Sequence, residues 1–165
     1  MAIDFSQVKT IMIPEGSVNK ITDSNGTVLW KKGPSWHTVW EGNKKIGYGG
    51  STGGEILLAT EPYSESLKIR VSFSDLSAYS TGGDDQSVNY TPSNRKSPAT
   101  YESFGSGSTE LVYAYVRNTD RNAFYRAGLY YNKITGKIYG ETGSSYGGES
   151  YARAYIVITK IEVFS

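Results

Sequence analysis

Leu67, Ile69, Val71 and Phe73 alternate with Lys68, Arg70, Ser72 and Ser74. A period of two puts one set on each face of an extended chain, so the segment predicts a strand with one apolar and one solvated face. Nowhere does the competing helical period run for a useful length. The rest of the chain is built to the same end, with 19 Gly, 21 Ser, 14 Thr and 14 Tyr among 165 residues. Gly, Ser and Thr are weak helix formers, while Thr and Tyr fit the pleated surface of a sheet. Short strands punctuated by Gly and Pro must close into a sandwich or barrel to bury their apolar faces. The expected fold is all-β, an antiparallel β-sandwich of jelly-roll type with a small N-terminal β-meander.

Further strands follow from the same signals. Tyr155 to Phe164 is rich in β-branched and aromatic residues, and its first half is apolar on both faces, which predicts a central strand covered on both sides. Val8 to Ile13, Val18 to Thr22 and Thr27 to Lys31 predict the meander, with turns at Pro14-Glu15-Gly16 and Ser24-Asn25-Gly26. Strands are also expected at Thr38–Glu41, Glu55–Thr60, Leu111–Arg117, Ala123–Tyr131 and Lys137–Tyr139, with a tight turn at Thr135-Gly136. Lys32-Gly33-Pro34-Ser35 interrupts pairing, which divides the chain into residues 1–33, a docking or attachment element, and 34–165, a sandwich head. Three short strands are marginal alone, so the first segment needs something to dock against. Ser80 to Glu110 reads as a long polar loop, and 141–148 as another.

Composition narrows the chemistry. Lys plus Arg number 17 against 16 acids, so no strong field draws in nucleic acid or an anionic membrane. No apolar run reaches the length of a membrane-spanning helix, and Met1-Ala2-Ile3-Asp4-Phe5 lacks the regions of a signal peptide. Without Cys there is no thiolate ligand or nucleophile. The single His37 reads as a structural or surface residue, since no nucleophile elbow accompanies it. The run from Gly47 to Gly54 lacks the Lys and following helix of a phosphate loop. Asp84-Asp85 lacks the alternate-residue acids of a calcium loop. The expectation is a non-enzymatic chain with no catalytic residues, no metal and no cofactor.

Aromatic residues carry the positive signal. Tyr125, Tyr130, Tyr131, Tyr139, Tyr146, Tyr151 and Tyr155 crowd the C-terminal part, with Arg117, Arg121, Arg126 and Arg153 among them. Tyr offers an apolar face and a polar tip at small entropy cost, and Arg stacks on such rings. This set fits sugar or protein contacts, and it equally fits a core or a subunit interface. Tyr130 and Tyr131 must separate, because neighbours in a strand face opposite sides. The candidate ligand contacts are Tyr130, Tyr146, Tyr151, Arg121 and Arg126.

Three segments carry a resemblance. Val18 to Trp30, with its Lys-Ile-x-Asp, Gly-containing turn and Val-Leu-Trp, resembles an element of tail and baseplate proteins of bacteriophages. Thr38-Val39-Trp40-Glu41-Gly42 resembles the opening of β-rich head modules in tail fibres and related virion proteins. Ile158-Thr159-Lys160-Ile161 is similar to the closing strand of such modules. The resemblance implies a virion structural protein, a tail or fibre tip that binds a host surface polysaccharide or protein, as a homotrimer. It also implies assembly in the bacterial host cytoplasm and docking to other virion proteins through the N-terminal segment, with Ile21, Val28 and Trp30 as the contacts. A capsid or head decoration protein docking through that same segment is the alternative, and a free-standing glycan-binding module is another.

Overall fold

The computed structural model describes residues 20–22, 25, 27–31, 33–47, 54–80, 86–91, 96–118, 123–144 and 152–165. The chain divides into two compact units, Met1–Pro34 and Ser35–Ser165. In the first, β1 (Lys20–Thr22) and β2 (Val28–Lys31) form an antiparallel hairpin that pairs Ile21 with Trp30. The expected strand Val8 to Ile13 lies outside the described residues.

The second unit is a sandwich of two antiparallel sheets. Its strands are β3 (Trp36–Gly47), β4 (Ile56–Thr60), β5 (Lys68–Ser80), β6 (Gln86–Thr91), β7 (Ala99–Tyr101), β8 (Ser108–Asn118), β9 (Ala123–Asn132), β10 (Lys137–Ser144) and β11 (Ala152–Phe164). One sheet runs β4-β10-β9-β8-β6 and the other β3-β11-β5-β7. Alternate residues of both point inward. Leu67, Ile69 and Val71 meet Ala154, Ile156, Ile158, Ile161 and Val163 on one side of the core, and Val112, Ala114, Val116, Ala127, Leu129 and Tyr131 on the other.

The inward phase switches where the strands bulge. On β5 the buried positions are Ile69, Val71 and Phe73, then Leu76 and Ala78. The change from odd to even numbers falls at Ser74, the residue left over when Phe73 pairs with Ile158 and Asp75 with Val157. On β11 it falls between Ile158 and Ile161, at the facing irregularity. An extra residue on a strand re-aims every side chain beyond it, so long strands stay apolar toward one core while they bend. The third case is Leu111, which is buried beside Val112 where β8 slips against β9.

Several sequence expectations need correction. Ser80 to Glu110 is not one loop: it holds β6, β7 and the start of β8. β6 is an edge strand and β7 has three residues, so neither needs a long apolar pattern. β3 extends well past Glu41, to Gly47. β11 is central, as expected, but only one of its faces is fully covered; Tyr155 and Val157 on the other are half-buried. Leu67, Ile69, Val71 and Phe73 face inward as the alternation predicts, and Gly136 closes the β9–β10 turn at φ 73°.

Beyond Val71 the β5 edge has no strand beside it among the described residues, because β7 pairs only with Ile69 to Val71. Side chains take over there. The Phe73 N–H donates to Ser97 Oγ at 2.9 Å. The Tyr90 hydroxyl donates to the Ala78 carbonyl at 2.9 Å and accepts from the Ala78 N–H at 3.2 Å. Tyr90 thus crosses from one sheet to satisfy the edge of the other, as buried backbone groups require. At one pole the Ser35 N–H donates to the Ser165 carbonyl at 3.3 Å, so this unit begins and ends there. Gly47, Ser80, Asn118 and Ser144 end their strands toward the opposite pole.

Candidate functional site

The face of the five-stranded sheet turned away from the core carries several aromatic residues that lie outside the core. Register places Tyr113, Tyr115 and Arg117 of β8 beside Gly128, Arg126 and Phe124 of β9, and Tyr139, Glu141 and Gly143 of β10 beside Tyr130, Gly128 and Arg126. Tyr130 and Tyr131 do separate: Tyr131 is in the core and Tyr130 is on this outer face.

The face has two halves. In one, Tyr130 and Tyr139 stack at 5.6 Å between centroids and 27° between planes. The Tyr130 hydroxyl donates to Glu110 Oε2 at 3.2 Å, and Tyr139 and Asn132 both donate to Ser108 Oγ, at 3.0 and 3.1 Å. Tyr130 lies along its own strand over Gly128, where a Cβ would fall 2.6 Å from two ring carbons. The absence of a side chain at Gly128 is what lets the ring lie down. The result is a closed cluster in which Tyr130 keeps only 7% of its surface exposed. Burial pushes its phenol well above the usual value; the Arg126 charge opposes this and Glu110 reinforces it. The structure thus places the expected contact Tyr130 with its ring covered by the protein.

The other half is open. Tyr115 and Phe124 stack at 6.1 Å and 28°, both half-buried, with Arg117 exposed beside them. Arg126 stands between the halves, its guanidinium 5.7 Å from the Tyr130 centroid and 3.9 Å from Glu141 Oε1. Arg126 keeps 41% of its side chain accessible, so of the expected contacts it is the one that the described surface presents. Gly143 leaves room alongside, with only the edge of Phe124, at 3.9 Å, near where a Cβ would be. Arg121, Tyr146 and Tyr151 lie outside the described residues, as do the side chains of Ile21, Val28 and Trp30.

Sequence reasoning missed Tyr113, Tyr115 and Phe124. The signal was present: Val112, Ala114 and Val116 alternate with Tyr113 and Tyr115, which sends both tyrosines to the face away from the core.

Other groups give less. His37 Nε2 lies 4.0 Å from Glu61 Oε2 at the sandwich margin, with its side chain 48% exposed. Among the described residues no three His, Asp or Glu gather to hold a metal. The Tyr101 hydroxyl is buried without a partner, and burial followed by the Glu110 charge raises its pKa. On the opposite sheet, Arg70 stacks 3.8 Å from the Trp36 centroid and lies 3.8 Å from Glu162, which clamps the strand ends.

No protein-family model, curated protein or solved structure matches this chain.

Proposed function

We propose that the chain is a non-enzymatic attachment protein of a virion, whose 35–165 unit binds a host-surface glycan through the open half of the five-stranded sheet. The observation that carries this reading is the stacked Tyr115–Phe124 pair lying next to the Arg126–Glu141 pair. Ring faces suit the C–H face of a sugar, and the charged pair supplies donors and acceptors for its hydroxyls. Arg126 and Glu141 offset each other while exposed Arg117 beside Phe124 adds one positive charge, so the surface suits a neutral or weakly acidic polysaccharide. Weak contacts of this kind gain strength when several copies act together, which gives the proposed homotrimer its purpose.

The test is binding of the full chain to an array of bacterial surface polysaccharides, beside the Tyr115→Ala and Phe124→Ala variants. Both rings are outward and half-buried, so truncation leaves the core intact. Loss of binding in both variants with unchanged melting supports the reading. Undiminished binding sinks the site assignment. Light scattering on the same samples tests the trimer.

The N-terminal hairpin favours a second reading, that of a decoration protein, because Ile21 and Trp30 are paired neighbours in a two-stranded element that is marginal by itself. Under that reading Trp30→Ala abolishes attachment to virus particles, and the intact protein binds no polysaccharide.

A further inference from the structure

Two strands set four outward side chains of the open half in a two-by-two array. Tyr115 and Arg117 alternate on β8, and register opposes them with Arg126 and Phe124 of β9. The stacked rings, Tyr115 and Phe124, occupy one diagonal, and the two arginines occupy the other. Directly opposed Cβ atoms lie about 4.5–5.5 Å apart, and alternate residues of one strand about 7 Å. A cation therefore flanks the aromatic platform on each side.

The two arginines differ in their surroundings. Arg126 lies 3.9 Å from Glu141 Oε1, and Lys137, further along the same face, lies 2.8 Å from Glu55 Oε1. Arg117 is exposed and makes no ion pair among the described residues. Glu141 does not neutralise it at a distance. Its register partner Gly128 lies four residues along β9 from Phe124, about 14 Å, which exceeds the screening length of about 8 Å in physiological salt. Thus one side of the platform is charge-balanced and the other keeps a free guanidinium. That group is planar, always charged, and presents N–H donors as a fork that matches a carboxylate.

We infer that Arg117 selects a glycan bearing a carboxylate sugar, a uronic acid spaced among neutral sugars, whose ring stacks on the Tyr115–Phe124 platform while its carboxylate pairs with Arg117. The inference rests on the glycan reading of this face and adds the class of sugar. A uronic acid carries its carboxylate directly on the ring, so one sugar meets platform and cation together. A polymer charged at every sugar is disfavoured, because its next carboxylate approaches Glu141 on the Arg126 side. A phosphodiester places its charge between sugars rather than on the stacked ring.

The experiment measures binding of the full chain to immobilised hyaluronan, in which glucuronate alternates with a neutral sugar, and to its carboxyl-reduced form, in which each glucuronate has become glucose. A glycerol-phosphate polymer is the third surface. The variants are Arg117→Gln, Tyr115→Ala and Lys44→Gln, which removes an exposed charge from the other sheet. The expected result is about fivefold tighter binding to hyaluronan than to its reduced form in low salt, since a solvent-exposed ion pair contributes no more than this at each site. The preference should vanish near 1 M salt, where the screening length falls to about 3 Å. Arg117→Gln should abolish the preference while keeping the weaker binding to the reduced polymer, Lys44→Gln should leave both unchanged, and Tyr115→Ala should weaken both. Equal binding to the two forms, a preference that survives Arg117→Gln, or tighter binding to the glycerol-phosphate polymer overturns the inference. Equal binding that Tyr115→Ala weakens does so while sparing the glycan reading. Absence of binding to every surface, and to the bacterial polysaccharide array, overturns both.

Discussion

Gly140 of β10 faces the core directly opposite Ile46 of β3, and this contact ties one sheet to the other. A Cβ on Gly140 would lie 2.5 Å from Ile46 Cδ1, 2.8 Å from Cγ1 and 3.2 Å from Cγ2. Ile46 is fully buried, so it has little room to retreat. Gly140→Ala therefore overpacks, at a cost of about 1–3 kcal/mol. A restricted unfolded chain returns about 0.4–1 kcal/mol of this. Ile46→Val alone costs about 0.5–1.5 kcal/mol, the usual loss of one buried methyl group. In the double variant the nearest clashing atom, Cδ1, is gone. Gly140→Ala should then cost less by about 0.5 kcal/mol or more in the Ile46→Val background than in the parent, a coupling that guanidinium midpoints resolve. Gly54→Ala is the control, since nothing lies within 4 Å of its Cβ position. Costs that add to within about 0.3 kcal/mol would mean that Ile46 does not sit over Gly140, and the stacking of β10 on β3 would be wrong.

Three further outcomes are expected. Tyr90→Phe removes both bonds to Ala78 and should cost about 1–3 kcal/mol, with faster hydrogen exchange at the Ala78 amide; an unchanged exchange rate would show that the Tyr90 hydroxyl is not the edge cap. Burial pushes the Tyr131 phenol from 10 up to about 12, so between these values the folded protein keeps a proton that the unfolded chain has lost. Stability should hold up to pH 10 and fall as pH rises through 12, and Tyr131→Phe should remove part of that fall in alkaline urea titrations. Gly128→Ala must lift the Tyr130 ring off its strand, losing the Tyr139 stack and the Glu110 bond at about 1–3 kcal/mol, with altered near-ultraviolet circular dichroism. If that mechanism holds, the same substitution costs far less when Tyr130 is already Ala.

Much of the outer face was legible in principle. Tyr113 and Tyr115 could be sent outward from the alternation around Val112 alone, and Arg126 was singled out from its aromatic neighbours. Tyr130 could not be settled that way. Period-two reasoning puts it on the outer face, correctly, and an outer face suggests exposure. Its burial depends on Gly128 one step back along the strand, on Tyr139 across it and on Glu110 on the far neighbour. Two of these three are distant in sequence, and only register brings them together.

The sequence by itself determined the strand-forming character of the chain, the inward set Leu67, Ile69, Val71 and Phe73, and the interruption of strand pairing at Lys32-Gly33-Pro34-Ser35. These are local properties: alternation and turn chemistry act within a few residues and need no partner to be read. Tertiary structure alone decided where the alternation changes phase. Nothing in Ser72-Phe73-Ser74-Asp75-Leu76 marks Ser74 as the extra residue; its partner strand β11 does, by slipping at the facing position. The capping of β5 by Tyr90 follows from that slip and from a short β7 that leaves the edge open. Such features arise between strands far apart in the chain, where backbone groups left unpaired by one neighbour must be satisfied by another.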